Sequence, residues 1–266
     1  MSLSIATWNI NSVRLRIQQV EKFLNEYQPD VLCLQEIKCQ NDQFPAKAFN
    51  KLGYEFHAVK GQKGYHGVAT ISKIPLVDIS STNYCNMGDS RHISVRFKAG
   101  GKDIQLHNFY VPAGGDEPDT DKNPKFAHKL NFLEEMRALR ALDEKTHNVL
   151  VGDLNIAPHE NDVWSHKQLL KIVSHTPVET DALAKIFDEG GWTDLIRNKI
   201  STDEKLFTWW SYRSRDWQQS NRGRRLDHIW GSPGLAAVQS DLQVVRETRN
   251  WEKPSDHIPV ICTLDL

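Results

Sequence analysis

The sequence has no long apolar run, no cysteine pair at metal-binding or redox spacing, and no excess of charge of either sign. A membrane-spanning helix needs about 18 consecutive apolar residues, and no such run occurs in the 266-residue chain. The first residues lack the basic region of a signal peptide and begin a strand pattern instead. We therefore expect a cytoplasmic protein with no membrane partner.

The cysteines and histidines exclude the common zinc motifs. Four cysteines occur without Cys-x-x-Cys spacing, and the eleven histidines include no His-Glu-x-x-His pattern. Cys33 and Cys262 lie inside apolar, strand-like runs, which predicts buried and reduced thiols. These features favour a protein of a reducing compartment that carries no structural zinc.

Charge is nearly balanced over the chain but concentrated in one segment. The formal net charge of −1 argues against a protein that binds nucleic acid over its whole surface. Residues 213–225, however, contain five arginines and one acid, and four aromatic residues precede or interleave with them. Such a loop suits a site that grips phosphates at one place. The alternative is a solvated arginine loop above two buried tryptophans.

Hydrophobic periodicity predicts one α/β domain spanning residues 1–266, a length that can bury a sizeable core. Helices are predicted at Ser12–Gln28, about Lys125–Lys145 and about Glu179–Glu189. Short apolar runs bounded by turn residues predict strands between them, some of which pair as hairpins. The alternation of hairpins with single helices implies strongly mixed sheets with helices outside.

Polar side chains stand at the ends of several apolar runs. If the strands share sheets whose ends point one way, these side chains converge on one rim. Carboxylates that close together repel unless a cation lies among them. A hard divalent ion such as Mg²⁺ or Mn²⁺ takes oxygen ligands from Glu36 and nearby groups and polarises a phosphoryl oxygen. The set comprises Asn9, Glu36, Asn108, Tyr110, Asp153, Asn155, Asp227, Asp256 and His257.

Six short motifs occur in order: Thr7-Trp8-Asn9-Ile10-Asn11, Leu34-Gln35-Glu36, Asn108-Phe109-Tyr110-Val111-Pro112, Gly152-Asp153-Leu154-Asn155, Arg225-Leu226-Asp227 and Ser255-Asp256-His257. Together they resemble the exonuclease III family of DNA repair nucleases, within the endonuclease/exonuclease/phosphatase superfamily. The resemblance covers essentially the whole chain. It implies a DNase I-like, four-layered α/β sandwich, in which two mixed, mainly antiparallel sheets pack face to face between helices.

The resemblance implies a site for Mg²⁺ or Mn²⁺. Glu36 matches the principal metal ligand of the family, and Asn9 and Asn11 lie beside it. Some relatives carry an acid at the position of Asn11, which would leave this site with one charge fewer. Asp256 supports either the metal or the neighbouring histidine, and the motif does not decide between them.

The same resemblance implies the catalytic roles. Asp153 matches the residue that orients and deprotonates the attacking water, and Asn155 helps to hold that water or the phosphate. Asp227 matches the acid that pairs with the catalytic His257, a pairing that favours the charged imidazole. Tyr110 matches a tyrosine near the scissile phosphate or the leaving oxygen. The implied reaction is in-line attack of water on a DNA phosphodiester, leaving a 3′-hydroxyl and a 5′-phosphate.

Substrate contacts follow from the resemblance in the same way. Trp209 and Leu226 match apolar positions that line a pocket for a flipped-out sugar lacking its base, although Trp209 is as readily a core residue. Arg91, Arg213 and Arg222 are candidate phosphate contacts, with ordinary surface charge as the alternative. The expected partner is double-stranded DNA with abasic sites or 3′ ends, bound by a monomer.

Other functions stay open at this point. Arg224 and Ala113 depart from the family pattern, which leaves the balance between abasic-site incision and 3′-end removal undecided. The same superfamily contains phosphoesterases that act on inositol phosphate, sphingomyelin or RNA. A catalytically inactive DNA-end binding protein is a further alternative, and it predicts at least one broken motif. All six motifs are intact.

Overall fold

The strands form two large sheets and one short hairpin. The computed structural model describes residues 1–143 and 146–266, and fifteen strands lie within these ranges. They are β1 Ser2–Asn9, β2 Val31–Gln35, β3 Phe56–Lys60, β4 Val68–Ser72, β5 Val77–Ser80, β6 His92–Ala99, β7 Lys102–Tyr110, β8 Leu142–Asp143, β9 Thr146–Asp153, β10 Thr193–Asp194, β11 Trp209–Trp210, β12 Gly223–Arg224, β13 Asp227–Gly231, β14 Gln239–Val244 and β15 Val260–Asp265.

Within the described residues, three long α-helices and four short ones accompany the sheets. They are α1 Ile17–Tyr27, α2 Ala46–Asn50, α3 Pro124–Met136, α4 His166–Leu169, α5 Pro177–Gly190, α6 Trp217–Ser220 and α7 Pro233–Ala236. The start of α5 follows from its sequence: Thr176 and Glu179 form a capping box, and Pro177 occupies the first helical position.

Each large sheet contains one parallel pair flanked by antiparallel strands. The first sheet has the order β14-β15-β1-β2-β4-β3, in which β1 and β2 are parallel. The second has the order β10-β13-β9-β7-β6-β5, with β8 beside β9, and its parallel pair is β7 and β9. Parallel neighbours need a crossover connection, which α1 provides in the first sheet and α3 in the second.

The two sheets face each other across an apolar core, and helices cover their outer faces. In β1, Leu3 and Ile5 point into the core between the sheets, whereas Trp8 packs on the outer side with residues of α1. In the second sheet, Phe109 and Leu150 pack outward with residues of α3 and α5. The layers run helix, sheet, sheet, helix, which confirms the predicted mixed sheets and the four-layered sandwich.

Two predicted helix boundaries are wrong. The first helix begins at Ile17 rather than Ser12, because the Ser12 backbone N–H donates to Glu36 O at 2.7 Å and so prolongs the pairing of β1 with β2. The second ends at Met136 instead of near Lys145, a position outside the described residues. It stops early because the chain turns back to place β8 beside β9.

The cysteines behave as predicted. All four are free, and Cys33 and Cys262 are buried. Burial raises the pKa of both of these thiols to about 12, which leaves them protonated and unreactive at neutral pH. Across the described residues, no helix combines the length and the apolar character needed to cross a membrane.

Candidate active site

The ends of the two parallel pairs meet at one rim of the sandwich. β1 ends at Asn9, and Glu36 directly follows the end of its parallel neighbour β2. β7 and β9 end at Tyr110 and Asp153, which are register partners in the second sheet. β13 is antiparallel to β9, so its first residue, Asp227, lies opposite Asp153. The strand order therefore collects residues that lie far apart in the sequence.

Backbone conformation at the strand ends turns the side chains of the rim into place. Asn11, Glu36 and Asn155 have positive φ angles of 47°, 48° and 53°, a conformation that non-glycine residues adopt rarely. Gly152, just before the end of β9, has a φ of 136°, and a Cβ there would lie 2.0 Å from the carbonyl oxygen of Phe109. Only glycine allows β7 and β9 to approach this closely.

His257 lies between two buried carboxylates. Its Nδ1 is 2.9 Å from Asp227 Oδ2, and its Nε2 is 3.7 Å from Asp153 Oδ2. The structure thus brings together three of the predicted catalytic residues, all of them buried. Thr208, to which the sequence assigned no role, accepts a hydrogen bond from the Asp227 backbone N–H at 3.1 Å and so fixes the start of β13.

His257 and Asp153 differ in their protonation at neutral pH. Burial disfavours the charge on His257, but the carboxylates of Asp227 and Asp153 outweigh it and raise the pKa of His257 to about 10. Burial raises the pKa of Asp153 to about 7, and the opposing effect of His257 only limits the rise. At neutral pH the imidazole is therefore protonated, while the Asp153 carboxyl is poised to take up or release a proton.

Two asparagines hold the Asp153 carboxylate in place. Asn9 Nδ2 donates to Asp153 Oδ2 at 2.8 Å and to Glu36 Oε1 at 3.0 Å, so one amide bridges the two acids. The Asn155 backbone N–H donates to Asp153 Oδ1 at 2.9 Å, and Asn155 Nδ2 lies 3.2 Å from Asp153 Oδ2. Asn155 Nδ2 also donates to Val111 O at 2.9 Å, which ties the loop after β9 to the loop after β7.

Glu36 and Asn11 direct oxygen atoms at one cation, the ammonium group of Lys38. Lys38 Nζ is 2.8 Å from Glu36 Oε2 and 2.6 Å from Asn11 Oδ1. Burial would raise the pKa of Glu36, but the charge and hydrogen bond of Lys38 outweigh it, so the pKa is lowered. An ionised carboxylate and an amide oxygen that converge on a positive charge form a donor set suited to Mg²⁺ or Mn²⁺. Lys38 was missed in the sequence, where its signal is a basic residue two positions after Glu36.

The other two predicted metal residues contact Asn11 and the acids around it. Asn9 turns its amide nitrogen towards Glu36, and its oxygen accepts the Asn11 backbone N–H at 3.1 Å. Asp256 Oδ1 accepts a hydrogen bond from Asn11 Nδ2, and Oδ2 accepts one from Trp209 Nε1, each at 3.0 Å. In this arrangement Asp256 orients Asn11 and the neighbouring indole.

A second cluster also has the composition of a metal site. One ligand atom each from Asp153, Asp227 and His257 lies within 4.8 Å of the others. The imidazole, however, uses Nδ1 for Asp227 and holds its proton at neutral pH, and a protonated imidazole has no lone pair for a metal ion. The oxygens of Glu36 and Asn11 therefore fit a metal ion better.

Tyr110 joins the two halves of the site. Its hydroxyl donates to Glu36 Oε1 at 2.9 Å, and burial together with the nearby carboxylates raises its pKa well above the usual value, so the phenol keeps its proton. Arg91 lies over the tyrosine ring at 4.9 Å and donates to Tyr110 O at 3.2 Å. Arg91 also forms an ion pair with Asp89 at 2.9 Å, and only 7% of it is exposed, so its guanidinium group is held against Tyr110 within the protein.

Trp209 and Leu226 lie together beside the catalytic residues. Both belong to one apolar cluster, in which Leu226 is buried and Trp209 is partly exposed. The Arg224 guanidinium lies over the Trp209 ring at 5.4 Å and donates to Ser174 Oγ at 2.7 Å. Arg224 therefore bounds this apolar surface on one side and links it to the segment before α5.

Arg213 and Arg222 lie at a separate place from Arg91. Both are exposed, and they line a surface pocket of about 450 Å³ together with Trp210 and three serines. Arg222 stacks over Trp164 at 4.8 Å. Trp210, which directly follows Trp209 in the chain, lines the pocket, so two guanidinium groups and three serine hydroxyls lie near the apolar surface of Trp209.

Comparison with solved structures places this geometry among DNA-processing proteins. An AP endonuclease from Archaeoglobus fulgidus superposes with a TM-score of 0.89 at 33% identity, covering 99% of this chain and 100% of the other. The 3′-5′ exonuclease NExo from Neisseria meningitidis superposes with a TM-score of 0.89 at 32% identity, covering 99% and 100%. A 3′ phosphatase NExo from Neisseria, bound to a product DNA hairpin, gives 0.86 at 32% identity over the same shares.

Sequence comparison agrees. Exodeoxyribonuclease III from Haemophilus influenzae is 32% identical over 275 aligned positions, covering 97% of this chain and 98% of that protein. The pattern of the Endonuclease/Exonuclease/phosphatase family matches residues 6–257, a range that includes the acids, amides and imidazole of the rim. The resemblance inferred from the six motifs is confirmed. The chain belongs to the Endonuclease/Exonuclease/phosphatase family.

Proposed function

We propose that this protein is a DNA repair nuclease that hydrolyses phosphodiesters of duplex DNA with Mg²⁺ or Mn²⁺. It removes nucleotides in the 3′-to-5′ direction and incises the strand 5′ to abasic sites, and both reactions leave a 3′-hydroxyl. The observation that carries the proposal is the group formed by Asp153, His257 and Asp227. The names of the relatives, exodeoxyribonuclease III, AP endonuclease and 3′-5′ exonuclease, support DNA as the substrate.

Asp153 is the proposed general base. A base works best when its pKa lies near the working pH, and burial raises the pKa of Asp153 to about 7. The hydrogen bonds from Asn9 and Asn155 fix both carboxylate oxygens, so a water bound to Asp153 is held in one orientation. That water attacks phosphorus in line with the leaving 3′-oxygen as its proton passes to Asp153.

His257 is the proposed cation that faces the phosphate. Its proton is retained at neutral pH because Asp227 accepts a hydrogen bond from Nδ1. Nε2 is left free to donate to a phosphoryl oxygen as negative charge develops there. The Tyr110 hydroxyl is also protonated, and it supplies a second donor when its proton turns from Glu36 Oε1 to a phosphoryl or leaving oxygen.

Glu36 and Asn11 are the proposed ligands of the metal ion, with Asn9 and Asp256 supporting them. When bound, Mg²⁺ or Mn²⁺ supplies Lewis-acid stabilisation of phosphoryl oxygen charge. The lowered pKa of Glu36 keeps its carboxylate ionised, and Asp256 orients the Asn11 amide. Lys38 occupies the same oxygens in this structure and has room to rotate, since 30% of its side chain is exposed.

DNA contacts complete the proposal. Trp209 and Leu226 form an apolar surface that suits the sugar of an extruded abasic nucleotide, which costs little to unstack. Arg213 and Arg222 line a pocket whose charge and hydroxyl groups suit a backbone phosphate, whereas Arg91 positions Tyr110. We also propose a cytoplasmic location, which the four free cysteines support. The proposed monomer is tested by light scattering at micromolar protein concentration.

A gel assay on a 5′-labelled duplex with one abasic-site analogue tests the function, run with Mg²⁺ and with EDTA. A single Mg²⁺-dependent band at the lesion would establish abasic-site incision. A ladder that recedes from the 3′ end would establish the exonuclease. No cleavage of either kind would refute the proposal, and cleavage unaffected by EDTA would refute its metal dependence.

A further inference from the structure

The ammonium group of Lys129 is a buried charge to which the mechanism assigns no role. Lys129 lies on α3, and its side chain is fully buried. Lysine is almost never fully buried unless it is paired, because burial disfavours the charged form. Its partner, Glu179 near the start of α5, is fully buried as well.

The ammonium group contacts more than its ionic partner. Lys129 Nζ donates to Asn155 O at 2.8 Å and to Ala113 O at 3.3 Å, in addition to Glu179 Oε1. Ala113 lies three residues after the end of β7, and Asn155 lies two residues after the end of β9. One cation therefore joins the two loops that directly follow Tyr110 and Asp153.

Glu179 stabilises the buried charge of Lys129, and its own hydrogen bonds fix the position of the ion pair. Its carboxylate accepts hydrogen bonds from the Ser174 backbone N–H at 2.9 Å and from the Thr176 hydroxyl at 2.6 Å. A buried ion pair survives when additional hydrogen bonds satisfy its remaining groups. The same carboxylate completes the capping box of α5. The residue that pairs with Lys129 is therefore itself fixed at the start of a helix.

The aliphatic part of the Lys129 side chain also packs closely against the backbone of the loop after β7. Gly114 has a φ of 88°, and a Cβ at that position would lie 2.9 Å from Lys129 Cδ. The loop after β7 can therefore fold over the lysine only with glycine at 114. Backbone, stem and ammonium group together leave the lysine little freedom to move.

We propose that Lys129 is a positioning residue for hydrolysis, whose ammonium group fixes the loop carrying Asn155 against Asp153. Asn155 has a left-handed backbone and contacts both oxygens of the Asp153 carboxylate. Lys129 binds the carbonyl on the other side of that residue, so it opposes rotation of the Asn155 backbone. This inference rests on the roles proposed above for Asp153 and Asn155.

Steady-state kinetics on a 3′-end duplex substrate test the proposal. K129M removes the ammonium group and keeps most of the stem, and we expect kcat to fall about 10- to 100-fold, as for a misplaced reacting group. KM should stay within about twofold, because the proposed DNA-contacting residues are untouched. Lys125→Met is the matched control, since Lys125 is exposed on the same helix, and it should leave both constants unchanged.

Two further variants separate positioning from stability. K129M/E179Q removes both buried charges together and keeps an acceptor for the α5 cap. It should therefore fold even if K129M does not. Its kcat should fall about 10- to 100-fold, the same loss that we expect for K129M. Leu183→Ala, on the buried face of α5, should lower the melting temperature without touching the loops. Its kcat well below that temperature should equal that of the wild type.

The outcomes are distinguishable. A folded K129M or K129M/E179Q with wild-type kcat would overturn the positioning role. So would a loss of kcat in Leu183→Ala as large as that in K129M, because stability alone would then explain both. The roles of Asp153 and Asn155 are tested separately: activity retained in D153N would remove the premise, whatever Lys129 does.

Discussion

Replacing Asp227 with asparagine isolates the effect of one buried charge on His257. The carboxylate lies 2.9 Å from Nδ1, is fully buried and is the larger of the two charges that raise the pKa of His257 to about 10. Asparagine keeps the shape but removes the charge and can present its amide nitrogen to the ring. The variant should therefore lose the protonated, correctly oriented imidazole at neutral pH.

The size of the effect follows from the pKa. A rise from the usual value near 6.5 to about 10 corresponds to several kcal/mol favouring the imidazolium, at roughly 1.4 kcal/mol per pH unit. Loss of one preorganised electrostatic group typically costs about 100- to 1,000-fold in kcat, which we expect for D227N. Breaking a buried ion pair also costs about 3–5 kcal/mol of stability, or roughly 5–9 °C in Tm for a chain of 266 residues.

Single-turnover cleavage of the 5′-labelled duplex at pH 7, well below the Tm of the variant, separates the two effects. The exposed Asp241→Asn makes the same chemical change away from the site and should match the wild type. A D227N rate within threefold (about 0.7 kcal/mol) of the wild-type rate would refute the argument that Asp227 sets the charge of His257. A fall in Tm with an unchanged rate would refute it too.

Three further predictions concern the rim and the core beneath it. D153N should lower kcat at least about 100-fold, since it removes the proposed base; a rate equal to that of the wild type in the same gel assay would exclude Asp153 from the mechanism. Burial opposes the ionisation of Asp162, but Arg225 outweighs it and lowers the pKa of Asp162 to about 2. Because this folded value lies below the unfolded value near 3.9, the ion pair should add about 2–3 kcal/mol above pH 4, lost as the pH falls from about 4 to about 2. Urea unfolding at pH 6 to 3 checks this, and D162N should show a shallower loss of stability on acidification; an equal slope would contradict it. Gly152→Ala should cost at least about 2 kcal/mol in urea unfolding, because its Cβ would meet Phe109 O at 2.0 Å; an unchanged unfolding free energy would contradict the close approach.

The rim was predictable from the sequence because its residues mark the ends of apolar runs. A buried strand ends where polar residues begin. Glu36, Asp153 and Asp227 therefore indicated both the ends of the strands and the position of the site. The sequence did not state how the strands pair. That order decides which strand ends meet, and the resemblance implied only the four-layered sandwich and the roles of the residues.

Contacts between distant segments could not be predicted in this way. Lys129 lies on the buried face of α3 with Phe126 and Met136, where helical periodicity predicts an apolar residue. Its partner, Glu179, is 50 residues away on another helix. Lys38 is a similar case, because the contacts of its ammonium group require the left-handed turn at Glu36 and the Asn11 side chain from the loop after β1. Such pairs depend on how distant segments pack together, and the spacing of residues within one segment does not predict this.

The placement of β15 between β1 and β14 has a consequence for when the enzyme becomes active. Trp8 Nε1 donates to the carbonyl of His257, 249 residues further along the chain, and β15 completes the first sheet by pairing with β1. Contacts of such sequence separation form late, because a long loop must close first. Until residues 257–265 have been made and have folded against β1, the chain therefore lacks both the imidazole of the site and the strand that completes the first sheet. Nuclease activity thus requires that this last-formed strand is in place.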